Sequence, residues 1–469
     1  MSLPLLLVGI LLHTSPPQLT ADVFGAGALA ECKTDLVHLN QVTGWQARWP
    51  RDWARIARSK RVLDQDERRW RQVPAALARA QVALRRSLGT SRMAPRVVVA
   101  RVHQQVRDLA TEIRRRSPRY FGDDRSWNSM MSDTILPALE GFGTFLGKEY
   151  LARAPTTPGL ARVPDGPRCF RAAVEWWTSV DVDPEVVEAQ GRRLLAETEA
   201  ALRATAPERS KEELLDALRK PVPSVDAKAL LEISRTALAR ASRRSTKAFR
   251  HVPSPPEVVA MEAHLQDGFP AGYYRGGSAP AFVVNPSRPG ERRRMAEVIA
   301  FHEGVPGHHL FFAYPGPNRG GFQAGILEGW AIYAEYLADE LGLYTETADR
   351  QGMMAKHLWA ASRLVVEPGL HVRGWSRQRA VDFMLEVTAL PEKEVTLEVD
   401  RYIAMPGQSL AYMLGYLAIA EARQRAERTL GAGFDLADFH HAVLAPGARP
   451  LAVMEADVDA WVDEQRRSP

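Results

Sequence analysis

Three histidines, His302, His308 and His309, and Glu303 crowd the end of the segment PGERRRMAEVIAFHEGVPGHHL at residues 289–310. His302-Glu303 is followed, after Gly304-Val305-Pro306-Gly307, by His308-His309. A His-Glu pair with a second His nearby points to a zinc hydrolase. Two imidazoles hold the ion, and the adjacent Glu, pointing elsewhere, handles the proton of an activated water. The spacing departs from HExxH. In a continuous helix a residue four positions on is offset by about 40°, so both His face one ion, whereas six positions on the offset is about 240°. His309, seven positions on, regains the face but lies about 10 Å along the axis. Neither arrangement closes a site unless the helix breaks between them. Pro306 removes a backbone hydrogen bond and Gly307 permits a sharp turn. The expectation is an excursion at 304–307 that returns His308, rather than His309, to the metal. His309 then points about 100° away, to pack or to hydrogen-bond a substrate or Glu335.

The third ligand is expected from Gln323 to Leu341, QAGILEGWAIYAEYLADEL. Leu327, Trp330, Ala331, Ala334, Leu337 and Leu341 form an apolar stripe, and Gly342 ends the helix. Glu328 follows His302 by 26 residues, enough for a loop and an antiparallel return. Two His and one Glu, with the fourth position left to water, make a catalytic zinc set, one ion per chain. Glu335, two turns on, is placed to orient a ligand His.

These groups need a rigid helical frame. Pro289 suits a first helical turn, after which Met295, Val298, Ile299 and His302 share a face. Apolar residues recur at spacings of three or four in 70–87, and 96–115 and 184–206 behave alike. Asp183-Pro184 opens the last of these as cap and first-turn residue. Pro and Gly cluster at 154–167, and Pro alone at 251–256. The second cluster precedes one clear strand signal, Ala281-Phe282-Val283-Val284-Asn285. The fold class is therefore mainly α with a small β-sheet (α+β).

The motifs resemble a bacterial family catalogued as domain of unknown function 885, zinc peptidases related to the helical gluzincins. HEGVPGHH at 302–309 and EGWAIYAE at 328–335 carry the resemblance most specifically. ASRLVVEPGLHVRGWS at 361–376, RYIAMPGQSLAYMLGY at 401–416 and FHHAVLAPGARPLAVM at 439–454 also fit. GTSRMAPRVVVARV at 89–102 and GLARVPDGPRCF at 159–170 match more weakly. Glu367-Pro368 departs from the Asp-Thr usual before Gly-Leu-His, which bears on that loop and not on the zinc ligands. The resemblance implies a bilobed helical body with a central cleft and a gluzincin-type zinc centre, and says little about substrate.

Related helical zinc peptidases take an oxyanion donor from a later helix. Tyr412 is the first choice here, Tyr402 and His371 the others; each Tyr reads equally as core. Arg363 either meets a substrate carboxylate or pairs with Glu367. The strand at 281–285 reads as an edge strand for extended peptide, with Asn285 reaching a substrate amide, and Gly272–Gly277 as a loop over the cleft. His357, His440 and His441 read as structural histidines.

The remaining sequence bounds the class. The chain has 469 residues, 61 Lys plus Arg against 56 acids, and a net charge of +5. Basic runs such as Arg114-Arg115-Arg116 lack interleaved aromatics and read as solvated helix faces, not as a nucleic-acid track. Two cysteines, Cys32 and Cys169, allow one disulfide at most. The apolar run at 3–12 is too short to span a bilayer but suits a signal core cleaved after Ala21; a buried N-terminal helix is the alternative. The expected division is a leader at 1–21, a helical lobe at 22–250 and a catalytic lobe at 251–469. The expected function is zinc-dependent hydrolysis of short peptide or peptide-like amides, secreted or periplasmic rather than cytoplasmic. No nucleic acid and no stable membrane insertion are expected. The alternative is a degenerate metal- or peptide-binding protein of the same fold.

Overall fold

The computed structural model describes residues 64–120, 125–223, 225–266, 271–316 and 323–467, preceded by Cys32, Thr34–Val37, Leu39, Trp49, Trp53 and Ile56. The leader expected at 1–21 lies outside them. Most of the described chain is helix, with one small sheet. The first half supplies α1 (Arg96–Tyr120), α2 (Gly166–Thr178), α3 (Pro184–Ala204) and α4 (Ala227–Arg244). Asp183 caps α3 by accepting from Glu185 N, with Pro184 in the first turn, as its sequence implies. Asp226 caps α4 in the same manner, through Ala229 N.

Three strands follow: β1 (Glu257–Ala260), β2 (Gly272–Arg275) and β3 (Ala281–Val284). Their order is β1-β3-β2, with β1 parallel and β2 antiparallel to β3. This corrects two expectations. The strong strand signal belongs to the central strand, and the segment read as a loop is the edge strand β2. The reason is burial. All four residues of β3 are buried, so it reads as an uninterrupted apolar run, whereas half-covered β2 alternates and is masked by flanking glycines.

The second half contains α5 (Ala296–Glu303), α6 (His308–Ala313), α7 (Ala324–Glu340), α8 (Thr347–His371), α9 (Glu392–Ala404), α10 (Ala411–Leu430) and α11 (Leu451–Arg467). Helix α7 lies directly on α10. A Cβ on Gly329 would sit 2.3 Å from the Gly415 carbonyl carbon, so only glycine permits this approach. The two hydrophobic clusters do not follow a boundary at 250. One joins α1–α3 to α8 and α9; the other joins α4 and the sheet to α5, α6, α11 and one face of α7. Among the described residues no single helix is long and apolar enough to cross a membrane.

Cys32 and Cys169 form a disulfide across a sequence separation of 137, tying the N-terminal segment to α2. Closing so long a loop restricts the unfolded chain, by about 5 kcal/mol in the chain-entropy limit. Cys32→Ser is therefore expected to lower unfolding stability by roughly 2–5 kcal/mol, read by denaturant titration without reductant. No change in the midpoint would mean that the bridge leaves the unfolded ensemble unrestricted.

Candidate metal centre

Helix α5 ends at Glu303, and Gly304 (φ −106°, ψ −121°) takes the backbone off the helical path. The Val305-Pro306 peptide is cis, and the helix resumes with His308 as the first residue of α6. A Cβ at Gly307 would lie 2.0 Å from His302 O, so the returning chain passes flush against the helix it left. Trp330 Nε1 donates to Pro306 O at 2.9 Å and ties the excursion to α7.

The result sets the His302 and His308 rings 4.8 Å apart and nearly perpendicular, at 82°. Their Nε2 atoms lie 3.5 and 3.6 Å from one oxygen, Glu328 Oε2. All three residues are buried, at 1, 1 and 0% exposure. These separations do not satisfy hydrogen-bond geometry: His302 Nε2 and both Glu328 oxygens are buried without a partner. Donors about 2.1 Å from a shared tetrahedral ion stand roughly 3.4 Å apart, which is the spacing found. Orphaned buried donors of this kind, without a thiolate, fit a borderline-soft divalent metal. Glu303 also belongs to the cluster, its carboxylate and the two imidazoles lying within 4.8 Å of one another. Its Oε2, however, already accepts from Tyr274 N on β2 at 2.8 Å. Of the two carboxylates, Glu328 is the one left without any protein partner.

Burial opposes charge on Glu328, but His302 and His308 outweigh it and hold the carboxyl well below the usual range. Burial pushes Glu303 upward, and the two imidazoles only partly counter it. Glu335, one further buried carboxylate on α7, is saturated. His302 Nδ1 donates to its Oε1 at 2.6 Å, Lys356 Nζ donates to the same oxygen, and His357 Nε2 donates to Oε2 at 3.0 Å. Lys356 Nζ also lies 3.3 Å from His302 Nδ1, but the shorter carboxylate contact marks Nδ1 as the donor. The His302 Nε2 lone pair is then directed at the centre. His308 has no such brace; its Nδ1 is buried and unbonded.

His309 turns away, its Nδ1 accepting from Tyr274 OH (3.2 Å) and its Nε2 donating to Ser254 O (2.9 Å), so it does not reach Glu335. Tyr412, from the first turn of α10, stacks near His302 at 6.4 Å between centroids, and its hydroxyl is buried without a partner. The other oxyanion candidates are corrected by their contacts. Tyr402 OH donates to Glu398 at 2.9 Å and accepts from Arg363 Nε and Trp359 Nε1. His371 accepts from Leu160 N, donates to Tyr402 O and stacks on Phe170; burial pushes its pKa down to about 3, so it is a neutral brace. Asn285 is consumed internally, bonding Gln266 O and Ser287. Arg363 pairs with Glu398 at 3.3 Å, not Glu367, which instead accepts from Gly407 N and Ser409 and pins the turn before α10.

Sequence reasoning did not single out Lys356 or Tyr274. A lysine inside the apolar run of α8 was the available signal, since a buried cation needs a partner. A cleft opens beside the centre, where His302, Glu303, Lys356 and Tyr412 meet Met295 and Ile299.

The sequence profile of a bacterial protein family of unknown function (DUF885) matches residues 15–458. The crystal structure of a "putative lipoprotein" from Colwellia psychrerythraea superposes with a TM-score of 0.78 at 23% identity, covering 91% of this chain and 80% of that one. A "putative lipoprotein of unknown function" from Shewanella oneidensis superposes with a TM-score of 0.69 at 17% identity, covering 91% and 83%. At these identities the likeness is one of fold. No curated protein matches the chain.

Proposed function

The chain belongs to the bacterial family of unknown function DUF885, and from that premise we propose that its buried centre is that of a zinc-dependent hydrolase of peptide or peptide-like amides. One observation carries the reading: two imidazole nitrogens converge on one Glu328 oxygen at 3.5 and 3.6 Å, and His302 Nε2 and both Glu328 oxygens are buried and unsatisfied. His302, His308 and Glu328 would hold the ion. Bound zinc would supply Lewis acidity, lowering the pKa of water and polarising the scissile carbonyl.

The chain's own residues do the rest. Glu303, steadied by Tyr274 N, takes the proton of the attacking water and passes it to the leaving amine. Its raised affinity for a proton suits a group that must carry one between two atoms. Tyr412, whose hydroxyl has no other partner, donates to the developing oxyanion. Gly272 and Ala271 line the cleft, so the outer edge of β2 takes the part expected of β3, aligning extended main chain. Burial of the centre admits a thin, flexible chain and favours short substrates over folded proteins. The disulfide supports an oxidising compartment, secreted or periplasmic.

Protein purified without added metal is expected to contain about one zinc per chain, the number of ions one tetrahedral donor set takes. Elemental analysis measures this, and a peptide-library digest with and without chelator, read by mass spectrometry, identifies the cleavage. Zinc near zero that added metal cannot restore would sink the reading. Bound zinc with no cleavage of any peptide would favour a binding protein instead.

A further inference from the structure

The cleft beside the centre carries more positive charge than its own carboxylates neutralise. Arg288 pairs with Glu291 at 2.8 Å, Arg363 with Glu398 at 3.3 Å, and Lys356 with Glu335. Arg292 and Arg294 line the same cleft without such partners. Arg292 is held in place by main chain, its Nε donating to Ser287 O at 2.7 Å. Burial pushes its pKa down to about 10, and Glu394, a buried carboxylate lining the same cleft beyond ion-pair distance, is the opposite charge that acts on it. Arg294 Nε is buried with no partner, and its charged neighbour is Arg293, which is committed to Asp349. Among the described residues no carboxylate lies within ion-pair distance of either Arg292 or Arg294.

Their position relative to the centre has a length. Arg292, Met295, Ile299 and His302 recur at spacings of three and four through three consecutive helical elements, Pro289–Arg292, the 3-10 turn Arg293–Met295 and α5, and all four line the cleft. Ten helical residues span about 15 Å. An extended peptide covers that distance in about four residues. The stripe thus runs from Arg292, a guanidinium without an ion-pair partner and two residues from Arg294, over two apolar side chains, to His302 of the centre.

From this juxtaposition, and resting on the hydrolase reading above, we infer that Arg294 and Arg292 receive a substrate carboxylate about four residues from the scissile bond. The intervening residues lie over Met295 and Ile299. The substrate class is a short peptide bearing a terminal carboxylate or an acidic side chain at that distance. Guanidinium is suited to this because it offers a planar fork of donors that matches the two carboxylate oxygens.

The test compares one fluorescent peptide as free acid and as C-terminal amide, with a third version carrying Glu in place of Gln near an amidated end. Binding is read by anisotropy on zinc-loaded Glu303→Gln protein, and cleavage as kcat/KM on the unmodified sequence. The free acid or the Glu peptide is expected to bind roughly 10- to 100-fold more tightly than the neutral one, the value of a charge-assisted hydrogen bond pair. Which of the two gains identifies the source of the carboxylate. In Arg294→Gln the ratio should collapse toward one, and Arg294→Lys should restore part of it. Equal binding of charged and neutral peptides, or a ratio that survives Arg294→Gln, would overturn the inference. Cleavage without any charge preference would sink this inference alone; a charge preference without cleavage would sink only the hydrolase reading.

Discussion

Glu303→Gln is expected to keep zinc at about one per chain while lowering kcat by roughly 10²- to 10⁴-fold, the range of a positioned general base. Gln is nearly isosteric and its amide oxygen still accepts from Tyr274 N, so the shape of the centre is preserved. What is lost is the ability to take a proton from water. The variant also decides between two roles, because Glu303 stands as close to the imidazoles as a ligand would. On the proposed reading metal binding falls to Glu328, both of whose oxygens are buried without a partner, and proton transfer to Glu303. Zinc content and peptide turnover measured on the same preparation test this. Loss of zinc would make Glu303 a ligand, and turnover at the wild-type rate would remove it from the mechanism.

His308→Ala and His309→Ala should behave oppositely. Removing His308 takes away one of the three proposed ligands, and zinc affinity is expected to fall by orders of magnitude, since ligand atoms must sit about 2.0–2.1 Å from the ion. His309 faces Tyr274 and the Ser254 carbonyl, so its loss loosens the contact with β2 and largely spares the metal. Zinc retained after dialysis against a weak chelator separates the two. The reverse pattern would mean that the backbone excursion extends to 308 and that the helix resumes one residue later than α6 begins.

The parts legible in the sequence are those governed by local geometry. A helix repeats at a fixed angle and rise, so the face shared by Met295, Ile299 and His302, the start of α3 at Asp183-Pro184 and the stripe of α7 follow from spacing alone. The same arithmetic shows that His302 and His308 cannot meet on an unbroken helix, and Pro306-Gly307 marks where it must break. Composition likewise bounds the cysteines to a single bridge, which the fold forms.

What only the tertiary structure decided is the partner of each buried polar group. Tyr402, His371, Asn285 and Arg363 all look like site residues in the sequence, because a polar group near a helix break is as suited to catalysis as to bracing. Tyr402–Glu398 and Asn285–Ser287 are close in sequence, but Glu398 reaches Arg363, Leu160 reaches His371 and Gln266 reaches Asn285 from other elements, and no local pattern names those partners. The same holds for Glu335, whose occupants Lys356 and His357 arrive from α8. Strand order was hidden for a related reason: hydrophobicity reports how deeply β3 is buried, not which strands flank it. The closure of α7 on α10, which brings Glu328 and Tyr412 to one centre, depends on two glycines 86 residues apart in sequence, Gly329 and Gly415, whose value appears only when the backbones touch.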